Sequence, residues 1–297
     1  MAFLAGDWGT TNLRAWIVAD DGRAGPRRDF PLGVARLAPG EAAARFESEI
    51  RPAMGAQGLE ALLCGMIGST LGWIDAPYIA CPTSLAGLAD GLTRAAAGVR
   101  IVPGLSCEGL AGPDVLRGEE TQILGWLTAY AARASGRRLL CLPGTHSKWV
   151  LVQDGRIVRF VTAMTGELYA VLREHSILRT PAEVEDGEAF EAGVDAAGDG
   201  GALSARLFSA RSRVLAGALP SSSTASYLSG LLIGAEIAAL HPLLGGEAGE
   251  SVELIGERAL CAWFSRALAR RALASEVRDG EAAALAGLIA IWNRTAR

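Results

Sequence analysis

Lysine is almost absent from this sequence: among 297 residues, Lys148 is the one lysine beside 27 arginines. Positive charge is in deficit as well, since 28 basic residues face 32 acidic ones and the formal net charge is −4. A chain of this balance lacks the bulk attraction for phosphate backbones or anionic lipid surfaces. No nucleic-acid or membrane partner is therefore expected, whereas a local basic pocket for a small anion stays compatible with the charge.

Cysteine and long apolar runs are also scarce. The five cysteines are odd in number and lack a C-x-x-C pair, which argues against a disulfide framework or a zinc site. No run approaches the roughly 18 apolar residues of a membrane helix. The most apolar stretch, 227–240, contains Glu236 and is predicted to be a buried core helix. The apolar start of the chain ends at Asp7, too early for a signal peptide, so a reducing cytoplasm is expected.

Alternating strand and helix signals fill both halves of the chain. Half of the residues are apolar, so two α/β domains could each bury a core. Glycines and a proline within 106–116 place the domain boundary there, giving domains 1–115 and 116–297. Apolar runs and periodicity predict a strand over 59–67 and helices over 85–96 and 259–274.

A glycine-threonine turn between two strands is the first chemical motif. The acidic Asp7 ends one strand, and Gly9, Thr10, Thr11 and Asn12 lead into the next. Exposed N–H groups and hydroxyls of such a turn can bind phosphate oxygens, and the aspartate can hold Mg²⁺, often through water. An ordinary hairpin turn is the alternative, because it favours the same residue types.

A second turn of this kind lies in the segment LLCLPGTHSKW. Here Gly144, Thr145, His146 and Lys148 supply the polar groups after a buried strand. A Gly-rich turn with a lysine suits phosphate binding, while a hairpin corner with a capping histidine is the alternative. Two such turns, one in each domain, could bind a triphosphate together.

Two adjacent glutamates open a predicted helix in the segment RGEETQILG. Phosphoryl transfer benefits from one carboxylate that orients and deprotonates the acceptor hydroxyl. The segment resembles the one that opens the second domain of glycerol- and xylulose-kinase relatives, where a carboxylate at the helix start is the general base. This resemblance implies Glu119 or Glu120 as the base, and the sequence does not separate them. The alternative is purely structural, since the helix dipole favours acidic residues in a first turn.

Two further loops follow predicted strands, where sheets commonly bind ligands. The glycine-rich segment from Gly68 and Ser69 to Trp73 and Tyr78 offers hydroxyls and aromatic rings that suit a sugar-like molecule. Near the C-terminus, Gly256 lies in a strand-to-helix turn that resembles the adenosine-binding loop of actin-like kinases; on its own it is an ordinary strand-to-helix turn.

These motifs, in this order and spacing, resemble the 2-dehydro-3-deoxygalactonokinase family of actin-like sugar kinases over residues 3–291. The most specific pieces are DWGTTNLRAW, RGEETQILG, LPGTHSKWV and MTGEL. Many relatives in the superfamily carry an aspartate where Pro143 stands, and an arginine near Thr70 is missing here. The contact to a substrate carboxylate is therefore left open.

The resemblance implies an α/β fold of two ribonuclease-H-like domains with a cleft between them. It also implies transfer of the γ-phosphoryl group of MgATP to the C6 hydroxyl of 2-dehydro-3-deoxy-D-galactonate. The implied acceptor-binding residues are Arg14, Gly68, Ser69, Trp73, Tyr78 and Arg117.

Other functions stay open at this point. A kinase for another sugar or sugar acid has the same scaffold. A non-catalytic nucleotide-binding relative would bind ATP without sugar-dependent turnover, and an ATP-independent sugar-binding module would bind no nucleotide. The sequence leaves the oligomeric state open, a homodimer included.

Overall fold

The computed structural model describes residues 1–133, 135–179, 184–198, 202–247 and 249–295. Strands and helices alternate along it, which confirms the predicted mixed α/β class. The strands are β1 (Phe3–Trp8), β2 (Leu13–Val18), β3 (Arg28–Phe30), β4 (Glu60–Cys64), β5 (Tyr78–Ala80), β6 (Thr93–Ala96), β7 (Val99–Ile101), β8 (Gly104–Glu108), β9 (Pro113–Leu116), β10 (Arg137–Leu142), β11 (Ser147–Gln153), β12 (Arg156–Ala163), β13 (Ser251–Gly256) and β14 (Ala274–Asp279).

The helices complete the element list. They are α1 (Glu41–Arg45), α2 (Arg51–Met54), α3 (Leu85–Asp90), α4 (Glu119–Ala129), α5 (Thr165–His175), α6 (Gly187–Ala197), α7 (Leu203–Leu207), α8 (Ser209–Leu215), α9 (Thr224–Leu243), α10 (Arg258–Arg270) and α11 (Gly280–Thr295). A π-helical stretch, Phe46–Ile50, joins α1 to α2, and 3-10 turns such as Val34–Arg36 and Met66–Gly68 connect other elements.

Two sheets share one strand order. The first runs β3-β2-β1-β4-β7-β6, and the second runs β12-β11-β10-β13-β14. In the first sheet β1 pairs antiparallel with β2 and parallel with β4. In the second, β13 lies parallel to both β10 and β14. Each sheet therefore has a hairpin beside parallel strands. The first predicted phosphate turn connects β1 to β2, and the second connects β10 to β11.

The chain forms two compact units. Unit 1 comprises Met1–Arg137, Val152–Phe160 and Gly280–Arg297, and unit 2 comprises Arg138–Leu151 and Val161–Asp279. In unit 1, Trp8, Phe46 and residues of β1, β4 and β7 form the core. A smaller sheet, β5-β8-β9, also belongs to this unit. The domain boundary at residue 115 stays a prediction.

Helix α9 is the central helix of unit 2. The stretch Ser221–Leu243 is long and apolar enough to cross a membrane, but 72% of its most apolar window is buried inside the protein. It packs in the core with α6 and with Trp149 of β11. This burial agrees with the core helix predicted over 227–240, because core helices are apolar on all sides.

Two sequence-based helix boundaries were wrong. The helix predicted over 85–96 ends at Asp90, and the rest forms β6 on the edge of β7. The helix predicted over 259–274 ends at Arg270, and β14 follows as the parallel partner of β13. In each case an available strand edge overrides local propensity.

Candidate functional site

The first glycine-threonine turn lies at the end of the β1–β2 hairpin of unit 1. The N–H of Gly9 donates to the carbonyl of Asn12 over 3.0 Å, which closes the turn. The side chains of Thr10, Thr11 and Asn12 are exposed. The turn therefore presents hydroxyls and N–H groups to a ligand, as the sequence predicted.

Backbone contacts from a second segment support this turn. Gly33, Val34 and Ala35 donate their N–H groups to carbonyls of the turn over 3.0–3.1 Å. A Cβ on Gly33 would lie 2.1 Å from the carbonyl carbon of Thr11. Only glycine fits so close to another backbone. The sequence analysis missed Gly33, since it stands outside every recognised motif.

Asp7 ends β1 directly before the turn. Its cross-strand partner is Arg14, whose Nη1 lies 3.4 Å from Asp7 Oδ2. Burial raises the pKa of Asp7. The positive charge of Arg14 opposes this rise, and the negative charge of Glu119 adds to it. The structure thus places Asp7, the residue predicted to hold Mg²⁺, near Glu119, one of the two candidate bases. Arg14 forms an ion pair with Asp7.

The two candidate bases differ in their surroundings. Glu120 is completely buried, and its carboxyl accepts from the Gly118 N–H over 2.5 Å and from the Thr121 hydroxyl over 3.0 Å. Burial, followed by the charge of Glu119, raises the pKa of Glu120 to about 8. Glu119 is partly exposed, and its carboxylate accepts from the Arg117 N–H over 3.1 Å. Glu119 is therefore the more accessible of the two carboxyls.

Cys64, at the end of β4, lies near this acidic group. Its Sγ is 3.9 Å from Asp7 Oδ1. Burial raises the pKa of the Cys64 thiol well above its usual value, and the charges of Asp7 and Glu120 raise it further. The ends of β1 and β4 and the start of α4 therefore bring the carboxyls of Asp7 and Glu120 close to an inert thiol.

The carboxyls of Asp7, Glu119 and Glu120 would bind a magnesium ion only if a ligand supplied further oxygen atoms. Across the described residues, no group of three His, Cys, Asp or Glu side chains is arranged to hold a metal. Mg²⁺ commonly binds one or two carboxylates and completes its shell with phosphates and waters. The single carboxylate of Asp7 is compatible with an ion that arrives with a nucleotide.

The glycine-rich segment of unit 1 surrounds Arg117. Ser69 is buried and donates its hydroxyl to the Met66 carbonyl over 2.7 Å. Trp73 packs on Phe46 with ring centroids 5.3 Å apart. These predicted acceptor-binding side chains thus have structural contacts of their own.

The second glycine-threonine turn lies in unit 2 between β10 and β11. The N–H of Glu167, in the first turn of α5, donates to the Thr145 carbonyl over 3.0 Å. The ring of His146 hydrogen-bonds to the carboxylate of the same glutamate. A Cβ on Gly166 would lie 2.6 Å from the Gly144 carbonyl oxygen. The start of α5 therefore packs directly against the turn.

A buried charge lies beneath this turn. Lys148 is 5% exposed, and its ammonium donates to the His146 carbonyl over 2.9 Å. Trp149 donates its indole N–H to Glu236 of α9 over 2.7 Å. Burial raises the pKa of Glu236 to about 7, opposed by hydrogen bonds from Thr165 and Trp149 and by the charge of Lys148. The sequence analysis used Glu236 only as evidence against a membrane helix.

The predicted adenosine turn lies beside the second phosphate turn. A Cβ on Gly256 would be 3.4 Å from the Pro143 carbonyl oxygen. The next residue, Glu257, caps α10 by accepting from the N–H groups of Ala259 and Leu260 over 3.1 and 3.0 Å. These bonds lower the pKa of Glu257. Glu257 is thus the N-cap of α10.

Comparisons with known proteins agree with these sites. The model of the 2-keto-3-deoxy-galactonokinase family matches residues 7–291. The chain belongs to this family. A 2-dehydro-3-deoxygalactonokinase of Escherichia coli (strain K12) is 32% identical, over 99% of this chain and 98% of that protein. A Rhizobium meliloti (strain 1021) protein, named as a probable 2-dehydro-3-deoxygalactonokinase, is 35% identical over 98% of this chain and 97% of that protein.

Solved structures support the same assignment. A Sinorhizobium meliloti crystal structure, described under the same enzyme name, has a TM-score of 0.87 and 34% identity, with 98% of each chain covered. The activator of a Clostridium difficile dehydratase, solved with bound ADPNP, has a TM-score of 0.53 at 12% identity, covering 100% of this chain and 96% of the activator. The second likeness shows the fold alone. The predicted actin-like fold and the predicted class of enzyme, a sugar-acid kinase, are confirmed.

The predicted residues thus form separate groups. Unit 1 brings together the first turn, Asp7, both glutamates and the segment around Arg117. Unit 2 brings together the second turn and Gly256. The roles of these residues stay predictions.

Proposed function

We propose that this kinase transfers the γ-phosphoryl group of ATP to the C6 hydroxyl of 2-dehydro-3-deoxy-D-galactonate. The observation that carries the proposal is the acidic group of unit 1, where Asp7 and Glu119 lie beside an exposed glycine-threonine turn. Family membership supports the substrate, since the relatives carry that enzyme name.

Glu119 is the general base in this proposal. A base must be ionised and must reach the acceptor hydroxyl. Glu120 is fully buried, so its carboxyl is not accessible to an acceptor hydroxyl. Glu119 is partly exposed, and the Arg117 N–H orients its carboxylate. Glu120 then serves to shape the start of α4.

Phosphate binding falls to the two turns. In unit 1 these residues are Gly9, Thr10, Thr11 and Asn12, and in unit 2 they are Gly144, Thr145, His146 and Lys148. Asp7 would hold Mg²⁺, directly or through water, and the ion would supply positive charge to the phosphates. Gly256 would receive the adenosine.

The acceptor would bind at the glycine-rich segment. The residues proposed for it are Arg14, Gly68, Ser69, Trp73, Tyr78 and Arg117. Aromatic rings and hydroxyls of this kind suit a sugar acid. We expect the protein to work in the cytoplasm, with ATP and the sugar acid as its small-molecule partners.

A coupled ADP-release assay tests the reaction. MgATP is supplied with 2-dehydro-3-deoxygalactonate, its gluconate epimer or plain hexoses, and turnover is expected largely with the galactonate-derived acid. ATP binding without turnover on any acceptor would contradict the proposed function.

Paired variants test the choice of base. Glu119→Gln should lower kcat about 10²- to 10⁴-fold, the usual contribution of a general base. Glu120→Gln keeps the hydrogen-bonding shape and should retain most of the turnover. The reverse ranking would assign the base to Glu120.

A further inference from the structure

Arg117 is a buried arginine with an incomplete set of partners. Its side chain lies in unit 1 and the residue is 8% exposed. Nη2 donates to the Ala76 carbonyl over 2.6 Å, and the guanidinium lies 4.4 Å from the centroid of the Tyr78 ring. Nε and Nη1 are buried and have no hydrogen-bond partner in the described part of the chain.

Arg51 of the same unit shows what a satisfied buried arginine looks like. It is 7% exposed and lies 4.8 Å from the centroid of the Phe46 ring. It also donates to Glu47 over 2.9 Å and to the carbonyls of Ala56 and Leu59 over 3.1 and 2.6 Å. The two arginines match in burial and in aromatic contact, but only Arg51 has a carboxylate partner among the described residues.

A buried charge without a counter-ion is costly for a protein. Removing a guanidinium from water is compensated only when an anion and further acceptors take the place of the lost hydration. A carboxylate that accepts a hydrogen bond from Nη1 or Nε would supply both the missing acceptor and the missing counter-charge. An anion that binds at Arg117 would therefore complete the site.

We infer that Arg117 recognises the C1 carboxylate of the sugar acid, which makes it the residue that selects acids over neutral sugars. The inference rests on the proposed function. The surroundings of the guanidinium favour the acceptor over ATP, because its contacts come from the glycine-rich segment: a Cβ on Gly68 would lie 2.8 Å from Nη1. The backbone N–H of Arg117 also orients Glu119, so one residue would link acceptor binding to the base.

Tyr78 is one of the side chains that pack on this guanidinium. Nε and Nη1 are shielded from solvent, so a carboxylate reaches them only after a neighbouring side chain moves. The Tyr78 ring covers the guanidinium and is itself 42% exposed. Partly exposed side chains change rotamer within nanoseconds, so the ring can give way to the substrate.

The test compares the acid with its primary amide, which has nearly the same shape and no charge. The wild-type enzyme should prefer the acid. Arg117→Gln should lower kcat/KM for the acid about a hundredfold, the range expected when one partner of a buried charged pair is removed, and leave the amide unchanged. Arg51→Gln, the matched control, should leave the acid-to-amide ratio at its wild-type value.

Each other outcome has a definite meaning. If Arg117→Gln lowers turnover of acid and amide equally, Arg117 is structural and the inference is wrong while the proposed function stands. If the wild-type enzyme turns over no acid, the proposed function fails and the inference with it. Should Arg117→Gln not fold, Arg117→Met decides: it keeps much of the apolar stem and removes the charge, and an unchanged acid-to-amide ratio would overturn the inference.

Discussion

The two glycine-threonine turns have one sequence pattern and two kinds of support. The turn of unit 1 is held by backbone hydrogen bonds from Gly33, Val34 and Ala35. The turn of unit 2 is held by the start of α5 together with the buried side chains of Lys148 and Glu236. One turn thus depends on the close approach of two backbones, and the other depends also on charge.

In each unit, the glycine in the turn has room for a side chain, whereas a glycine in the segment that packs against the turn does not. A Cβ on Gly9 or Gly144 would meet its nearest atom at 3.6 or 3.9 Å, which is ordinary contact. A Cβ on Gly33 or Gly166 would meet backbone atoms at 2.1 or 2.6 Å. The turn glycines leave their outer side open for a ligand, and the supporting glycines set where each turn lies.

The largest effect is expected from Gly33→Ala. Its Cβ would force the first turn to move, so we expect a loss of about 1–3 kcal/mol in the free energy of unfolding and little sugar-dependent turnover. Thermal unfolding and the ADP-release assay measure both. Gly25→Ala is the control, since its Cβ would lie 3.5 Å from the nearest atom. A Gly33→Ala protein with wild-type stability and rate would contradict the backbone-support model.

The second test removes the buried carboxyl beneath the other turn. Glu236→Leu leaves the Trp149 indole N–H without its partner, which costs about 1–3 kcal/mol. Glu236→Gln keeps an acceptor and should cost less. Denaturant unfolding of the two variants gives the difference. Equal losses would show that the hydrogen bond to Trp149 contributes little.

The pH dependence separates the two units further. The pKa of Glu120 rises from 4.5 to about 8 on folding and that of Glu236 from 4.5 to about 7. Between those values the folded protein binds more protons than the unfolded chain, so stability falls as pH rises. Glu120→Gln should flatten the fall up to about pH 8, and Glu236→Gln up to about pH 7. Unfolding free energies from pH 5 to 8.5 check this, and unchanged slopes would contradict it.

The smallest effect is expected from His146→Ala. The hydrogen bond between His146 and Glu167 is half-exposed, and exposed polar contacts of this kind contribute about 0–1 kcal/mol. Stability should therefore change little, whereas the KM for ATP should rise if His146 contacts phosphate. A large fall in the melting temperature with an unchanged KM would make the residue structural instead.

Much of unit 1 was predictable from local patterns. The β1–β2 hairpin, the turn after Asp7 and the helix opened by two glutamates were each marked by their own residues. The edge strands β6 and β14 were not, because Thr93–Ala96 and Ala274–Asp279 become strands only beside β7 and β13. Pairing partners that lie far away in sequence leave no local signal.

The sequence by itself determined the family, the class of fold and the residue types that phosphoryl transfer needs, since these depend on motifs within short segments. Only the tertiary structure decided that Glu120 is buried and Glu119 accessible, that Gly33 supports the first turn, and that Arg117 has no anionic partner among the residues the structure describes. Burial and hydrogen bonding depend on what packs against a side chain, and the packing partners come from distant parts of the chain.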